Sequence, residues 1–323
     1  MALLIAFLMG FVPAFLMAGL IYWLDRYEKE PIKLLGAAFF WGAVLAAGGA
    51  FVVNTLVGIG IYLLTGSDSV ANLTTASLIA PFVEEALKGS AVLLVFLAFR
   101  SEFDSILDGI IYAAITALGF AASENVLYIY QDGYLQNGWQ GLWQMVLIRD
   151  VVVAWQHPFF TAFTGIGLAV ARLNKSMAVK VIAPVAGYLV AVLTHSFHNT
   201  FTDFVGGLEG FTLGSLIDWF GWSVMVLFIA YMILRERGLL KRQLNEEVAG
   251  GIISQSQYMR ALSPLTMSTA YLTGGKSAAQ FYRLCGELAH KKEQLLRFGD
   301  ERGNTALIEA LRSQLIVLRP HVA

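Results

Sequence analysis

The sequence predicts an all-α membrane protein, a bundle of about seven transmembrane helices followed by a small helical cytoplasmic tail. Three observations carry this expectation. Of 323 residues, 57% are hydrophobic and only 14% charged, outside the range of soluble domains. The apolar residues gather in stretches of about 20, the length a helix needs to cross a hydrocarbon core of roughly 30 Å. The charges divide unevenly: residues 1–234 hold nine Lys and Arg against fifteen Asp and Glu, and residues 235–323 hold thirteen against eight. A transmembrane domain at 1–237 and a basic cytoplasmic helical tail at 238–323 are therefore expected. The bilayer is the expected partner of the first, and no nucleic-acid partner is expected.

In chain order, the first apolar segment, about 2–24, lacks a basic leader and a small-residue cleavage site, so it reads as a retained span. Further spans are expected at about 35–63, 75–99, 107–130, 150–171, 180–201 and 214–234. The loops between them alternate in basic charge. Arg26, Lys29 and Lys33, then Arg100, then Arg172, Lys175 and Lys180, then Arg235, Arg237, Lys241 and Arg242 mark one side. On the other side, 64–74 and 202–213 have no basic residue and 131–149 has only Arg149. The positive-inside rule then places the N-terminus outside and the tail in the cytoplasm of a multi-pass cell (inner) membrane protein.

The 131–149 segment interleaves Tyr134, Trp139 and Trp143 with polar residues, the pattern either of an interfacial amphipathic helix or of a polar loop with scattered aromatics. In the tail, Phe281, Leu284, Leu288 and Leu295 keep helical spacing, and short helices are expected at about 240–248, 278–297 and 304–317. The single Cys285 excludes an internal disulfide framework.

Polar clusters interrupt the apolar spans: Glu84, Glu85 and Lys88; Glu124 and Asn125; His157; and His195, His198 and Asn199. A charge at the bilayer centre costs roughly 2.5–3.5 kcal/mol on insertion scales, so such groups face the protein interior and mark functional sites. Residues three and four apart share a helix face, which stacks Glu84 or Glu85 with Lys88, Phe120 with Glu124, His157 with Thr161, and His195 with Asn199. Counted from the outer ends of their spans, the clusters lie roughly 10–15 Å deep at 1.5 Å per residue, all in the outer half.

Two carboxylate clusters, two histidine-bearing helices and an amide are the parts needed to hold and activate a water in a dry cavity. A Glu takes the water's proton, neutral imidazoles bind a metal or steady an oxyanion, and Asn199 donates to developing negative charge. No HEXXH signature is present, so any metal site is assembled across helices. His198 reads as a neighbour of the polar stripe, and His290 and His321 of the tail lie outside the site. Asp108, Asp150 and Asp203 fall near helix ends, where they serve as caps or interface groups. Gly109, Gly119, Gly165 and Gly167 suit close helix packing.

The motifs DRYEKEP at 25–31, PFVEEALK at 81–88, GFAASEN at 119–125, WQHPFFTAFTGIGLA at 155–169 and HSFHN at 195–199 occur in order on successive elements. In them the chain resembles the PrsW family of bacterial intramembrane proteases, relatives of the CAAX-processing and bacteriocin-processing membrane proteases. The resemblance covers about residues 20–205 and leaves the tail outside. It implies an intramembrane endopeptidase in which one of Glu84 and Glu85 is the general base, Glu124, His157 and His195 bind a metal or position the water, and Asn199 is the oxyanion donor. Lys88 stands one position closer to the Glu pair than the superfamily's usual Arg, which leaves open which Glu it pairs with. Zinc is the expected metal, with a water held by hydrogen bonds alone as the alternative. The implied substrate is a membrane-anchored protein of the anti-sigma-factor kind, cut near the outer face.

Two other classes carry the same polar residues. A proton- or ion-coupled transporter uses intramembrane Glu and His, but the apolar cytoplasmic halves of spans four to six leave no polar through-path. A non-catalytic scaffold or receptor keeps a polar core for stability.

Overall fold

The computed structural model describes all residues except 206, 301, 302 and 323, and also omits the side chains of 202, 203, 267 and 268. Asp203, expected at a helix end, has its side chain outside the described set. Among the described residues there is no strand. The helices are α1 (Ala2–Leu24), α2 (Ile32–Phe40), α3 (Ala47–Thr65), α4 (Asp68–Thr74), α5 (Ala80–Ala98), α6 (Ile106–Leu127), α7 (Leu135–Leu147), α8 (Gln156–Leu173), α9 (Met177–Val205), α10 (Gly207–Ala249), α11 (Gln255–Ala261), α12 (Thr266–Phe298) and α13 (Asn304–Leu318).

The protein is an all-α membrane protein. Among the described residues, five helical stretches are long and apolar enough to cross a membrane: Ala2–Leu24, Ile32–Thr65, Ile106–Leu173, Met177–Phe201 and Gly207–Ala249. The expected fourth and fifth spans both fall within Ile106–Leu173, because the segment between them is helical too. The expected third corresponds to α5, whose Glu84, Glu85 and Lys88 lower its apolar character. The expected loop at 64–74 contains a helix, because Gly66 at φ 66° ends α3 and Ser67 caps α4 by accepting from the Val70 amide at 3.3 Å.

The chain divides into two compact units, Met1–Ile21 with Pro31–Leu227, and Tyr22–Glu30 with Phe228–Ala323. In the first, α6 is the central helix, buried almost continuously from Leu107 to Ala122. It begins in a capping box: the Ser105 hydroxyl accepts from the Asp108 amide, and the Asp108 carboxylate accepts from the Ser105 amide. Small residues let α6 approach its neighbours. A Cβ on Gly109 would lie 2.3 Å from the Gly165 carbonyl oxygen, and one on Gly165 would lie 2.0 Å from that of Gly109, so α6 and α8 cross at backbone contact. The outward faces are apolar and exposed, as at Val181, Ile182 and Leu193 of α9 and Phe220 and Leu227 of α10, which suits lipid as the surrounding solvent.

Among the described residues, four π-helical turns, Trp41–Ala46, Thr75–Ile79, Tyr128–Tyr134 and Ile148–Val152, interrupt the helices of this unit. Three of them adjoin the ends of α5, α6 and α8, where polar side chains turn inward. Residues 135–147 form α7, bent at Asn137 and Gly138, with Leu142 buried beside Ala2, Ala6 and Ile129 while Trp139 and Trp143 stay exposed.

The second unit has its own apolar core of Leu240, Leu244, Phe281, Leu284, Cys285, Leu288, Leu311 and Leu315. The end of α1 and the loop after it, Tyr22–Glu30, are part of this unit. Tyr27 is 2% exposed within that core, and its backbone lies so close to Gly286 that a Cβ there would stand 1.8 Å from the Tyr27 carbonyl oxygen. His290 is buried and its Nδ1 lies 2.7 Å from Glu28 Oε2. Glu247 receives Lys292 at 2.7 Å and Arg312 at 2.8 Å.

Candidate active site

Helix α5 places Glu84, Glu85 and Lys88 on one turn, and all three are buried. Fully buried charges require partners, and Glu85 has several. Its Oε1 accepts from Lys88 Nζ at 2.5 Å and lies 3.0 Å from His195 Nδ1, while its Oε2 accepts from Thr161 Oγ1 at 2.8 Å. Helices α5, α8 and α9 thus meet on one carboxylate.

Glu84 is different. Its Oε1 has only a 3.5 Å contact from Asn54 Nδ2, and its buried Oε2 has no hydrogen-bond partner among the described residues. Lys88 Nζ and His195 Nε2 both stand 3.9 Å from that oxygen. Ligand atoms of Glu84, His157 and His195 all lie within 4.8 Å of one another.

His157, in the first turn of α8, is held from both sides. Its Nε2 lies 2.9 Å from Glu124 Oε2 and its Nδ1 lies 3.3 Å from Lys88 Nζ. Since a carboxylate oxygen accepts, the ring proton is assigned to Nε2 of His157 and to Nδ1 of His195. The lone pairs are then on His157 Nδ1 and His195 Nε2, and the latter faces Glu84. The rings are packed by aromatics: Phe160 stacks on His195 with centroids 4.8 Å apart, and Phe120 lies 5.3 Å from His157 with Lys88 Nζ 4.5 Å above its face.

The expected residues do not all converge. Glu124 is bound to His157 and to Arg149, and the convergent carboxylate is that of Glu84. Asn199 donates from Nδ2 to the Ala76 carbonyl at 2.8 Å, tying α9 to the π-turn that leads into α5. Asp150 accepts from Asn125 Nδ2 at 2.8 Å. His198 pairs with Asp218 of α10 at 2.8 Å, and Gln156 Nε2 donates to the same Oδ2 at 2.8 Å.

Arg149, Gln156 and Asp218 were not singled out from the sequence. Two of them carried a signal. Arg149 is the lone basic residue of 131–149, a segment the charge pattern leads one to expect bare of Lys and Arg, and Asp218 is the lone acid within the seventh expected apolar segment.

The donor set suits a divalent metal. Two imidazoles and one carboxylate from three helices match three-ligand catalytic sites, and the second nitrogen of each ring is held by a carboxylate, Glu124 for His157 and Glu85 for His195. The buried oxygen of Glu84 without a partner is the observation that marks the place.

A profile of the PrsW family intramembrane metalloproteases matches residues 30–233. The relatives include proteins named Protease PrsW. That of Bacillus subtilis is 31% identical over 52% of this chain and 70% of its own length. That of Geobacillus kaustophilus is 28% identical over 48% and 62%, and that of Oceanobacillus iheyensis 28% identical over 63% and 84%. The chain thus spans less than two thirds of the Geobacillus relative. No solved structure matches it significantly.

Proposed function

Because the chain belongs to the PrsW family of intramembrane metalloproteases, we propose that it is an endopeptidase hydrolysing a peptide bond of a membrane-anchored protein, with Glu84 as the base that activates water. The observation that carries this reading is the contrast between adjacent carboxylates. Glu85 is saturated by Lys88, His195 and Thr161, whereas Glu84 Oε2 has no partner and faces His195 Nε2.

A water between these groups donates one proton to Glu84 Oε2 and the other to His195 Nε2, which directs its oxygen lone pair outward at the scissile carbonyl carbon. Attack transfers the first proton to Glu84, which then gives it to the leaving amide nitrogen as the C–N bond breaks. Lys88, 3.9 Å from Glu84 Oε2, supplies positive charge near the developing oxyanion in a site that excludes water. Glu124 and Glu85 orient the rings of His157 and His195, and Asn199 positions the entry to α5 through Ala76. Where a metal is bound, expected to be zinc, one oxygen of Glu84 with His157 and His195 would hold it in place of the hydrogen bonds to that water, and the second oxygen of Glu84 would remain to take the water's proton. When bound it would polarise the carbonyl and acidify the water.

The substrate class is a single-span protein of the anti-sigma-factor kind, cut on its outer side. The depth of the polar clusters under the positive-inside orientation supports that face, with the enzyme in the inner membrane and its tail in the cytoplasm. Mapping of newly formed N-termini in membranes of the native host tests the assignment. Cleaved single-span proteins are expected with the wild type and absent with Glu84→Gln at equal abundance. Unchanged cleavage by Glu84→Gln overturns it.

A further inference from the structure

The two histidines of the site are held in the same way. On one side Lys88 pairs with Glu85 Oε1, and that oxygen faces His195 Nδ1. On the other, Arg149 Nη2 donates to Glu124 Oε2, and that oxygen faces His157 Nε2 at 2.9 Å. Each is a relay of cation, carboxylate and imidazole, with one carboxylate oxygen shared between cation and ring. Lys88 lies in the same helical turn as Glu85, but Arg149 comes from the π-turn before α8, 25 residues from Glu124.

We propose that Arg149 is a positioning residue of the hydrolytic reaction, fixing through Glu124 the tautomer and orientation of the His157 ring. This inference rests on the protease reading above. Its argument is geometric. The guanidinium is planar and forked, and here the fork is used on two adjacent residues: Nη2 to Glu124 and Nε to Asn125 Oδ1 at 2.8 Å. Asn125 Nδ2 in turn donates to Asp150 Oδ1 at 2.8 Å, so Glu124–Asn125 at the end of α6 interlocks with Arg149–Asp150. The Tyr128 ring lies 4.3 Å from Arg149 Cζ and closes the remaining face.

Glu124 is therefore held in one place, where it accepts from His157 Nε2 and leaves the Nδ1 lone pair turned inward toward Lys88. Without Arg149 the carboxylate loses its charged donor and keeps the neutral ring, which is then free to exchange tautomers. The charge rule disfavours a basic residue on an outer loop, and this pairing accounts for its presence.

The test uses the full-length enzyme in lipid nanodiscs, as wild type, Arg149→Gln, Arg149→Lys and Glu84→Gln. Two readouts are taken: the ring 15N shifts of His157, and kinetics on a quenched-fluorescent single-span peptide selected for turnover by the wild type. The wild type is expected to show one His157 tautomer, protonated on Nε2. Arg149→Gln is expected to show a mixture and a kcat lowered about 10- to 100-fold, the scale for partners that orient a catalytic histidine, with KM unchanged. Arg149→Lys keeps the charge but not the fork, and is expected to regain part of both.

An unchanged tautomer in Arg149→Gln, or a loss confined to KM or to thermal stability, overturns the role of Arg149. If Arg149→Gln does not fold, Arg149→Lys decides by the same readouts: wild-type kcat and a wild-type ring overturn it. Glu84→Gln separates the two ideas, since it is expected to abolish turnover with the His157 signal intact. Wild-type turnover by Glu84→Gln sinks the protease assignment whatever Arg149 does.

Discussion

Replacing Glu85 by glutamine removes the 2.5 Å counter-charge of Lys88, a side chain with no solvent exposure whose next carboxylate, Glu84, stands 3.9 Å away, and leaves Thr161 and His195 competing for one amide oxygen. Breaking a buried ion pair by deleting one partner costs about 3–5 kcal/mol. For a protein of this size each kcal/mol moves the melting temperature by about 2–4 °C, so Glu85→Gln is expected to melt roughly 6–20 °C below the wild type. Glu84→Gln changes an oxygen with no hydrogen-bond partner among the described residues, 3.9 Å from Lys88 Nζ, and another with a single 3.5 Å contact, so its cost is about 1 kcal/mol or less. Its loss falls on activity instead, where a general base contributes about 10²–10⁴-fold. Thermal unfolding of the two variants in the same detergent, beside peptide cleavage, reads both effects. Equal melting temperatures, or a destabilised Glu84→Gln beside a stable Glu85→Gln, would refute the division of roles between the adjacent carboxylates.

Two further predictions concern the metal and the loop that follows α1. Elemental analysis of purified protein is expected to find about one divalent ion per chain, lost in the His157→Ala/His195→Ala double variant; no bound ion in the wild type would leave the water held by side chains alone. In the second unit, burial pushes the Asp25 carboxyl up to about 7, outweighing the Glu30 amide that it accepts from at 2.8 Å and the nearby Lys29. Asp25 therefore binds its proton more tightly in the folded loop than in the unfolded chain. Its contribution is complete below about pH 4 and is lost as the pH rises through about 7, roughly 4 kcal/mol over the interval. Protection factors of residues 22–30 and 278–297, exchange rates corrected for the intrinsic rate at each pH, are expected to be higher at pH 5 than at pH 8, and Asp25→Asn is expected to flatten that difference; a profile unaffected by the substitution contradicts it.

Much of the site is visible in the sequence because helices convert spacing into faces. Glu84, Glu85 and Lys88, like His195 and Asn199, lie three or four residues apart, and a charge in an apolar span has to turn inward whatever the fold. The roles within each cluster are another matter. Lys88 is within reach of either Glu by helical spacing alone, and the choice is made by Thr161 and His195, 76 and 110 residues away, which converge on Glu85 and leave Glu84 Oε2 bare. Asn199 shares a stripe with His195, yet it reaches the Ala76 carbonyl because a π-turn brings that backbone within 2.8 Å. Glu124 stands at the depth of a ligand, but Arg149 reaches it from the turn before α8. Nor does periodicity reveal that the loop after α1 buries Tyr27 in the core of the second unit, because one aromatic in the polar run 25–31 has no period.

Composition and hydropathy by themselves determined the solvent, the class of fold, and the residue types that had to lie inside, since these follow from transfer free energies summed along the chain. Which carboxylate keeps a free oxygen, which histidine nitrogen carries a lone pair, and which distant cation holds each relay in place were decided only by tertiary structure. The reason is physical: hydrogen bonds are satisfied over distances of about 3 Å, and the sequence does not say which helices come that close.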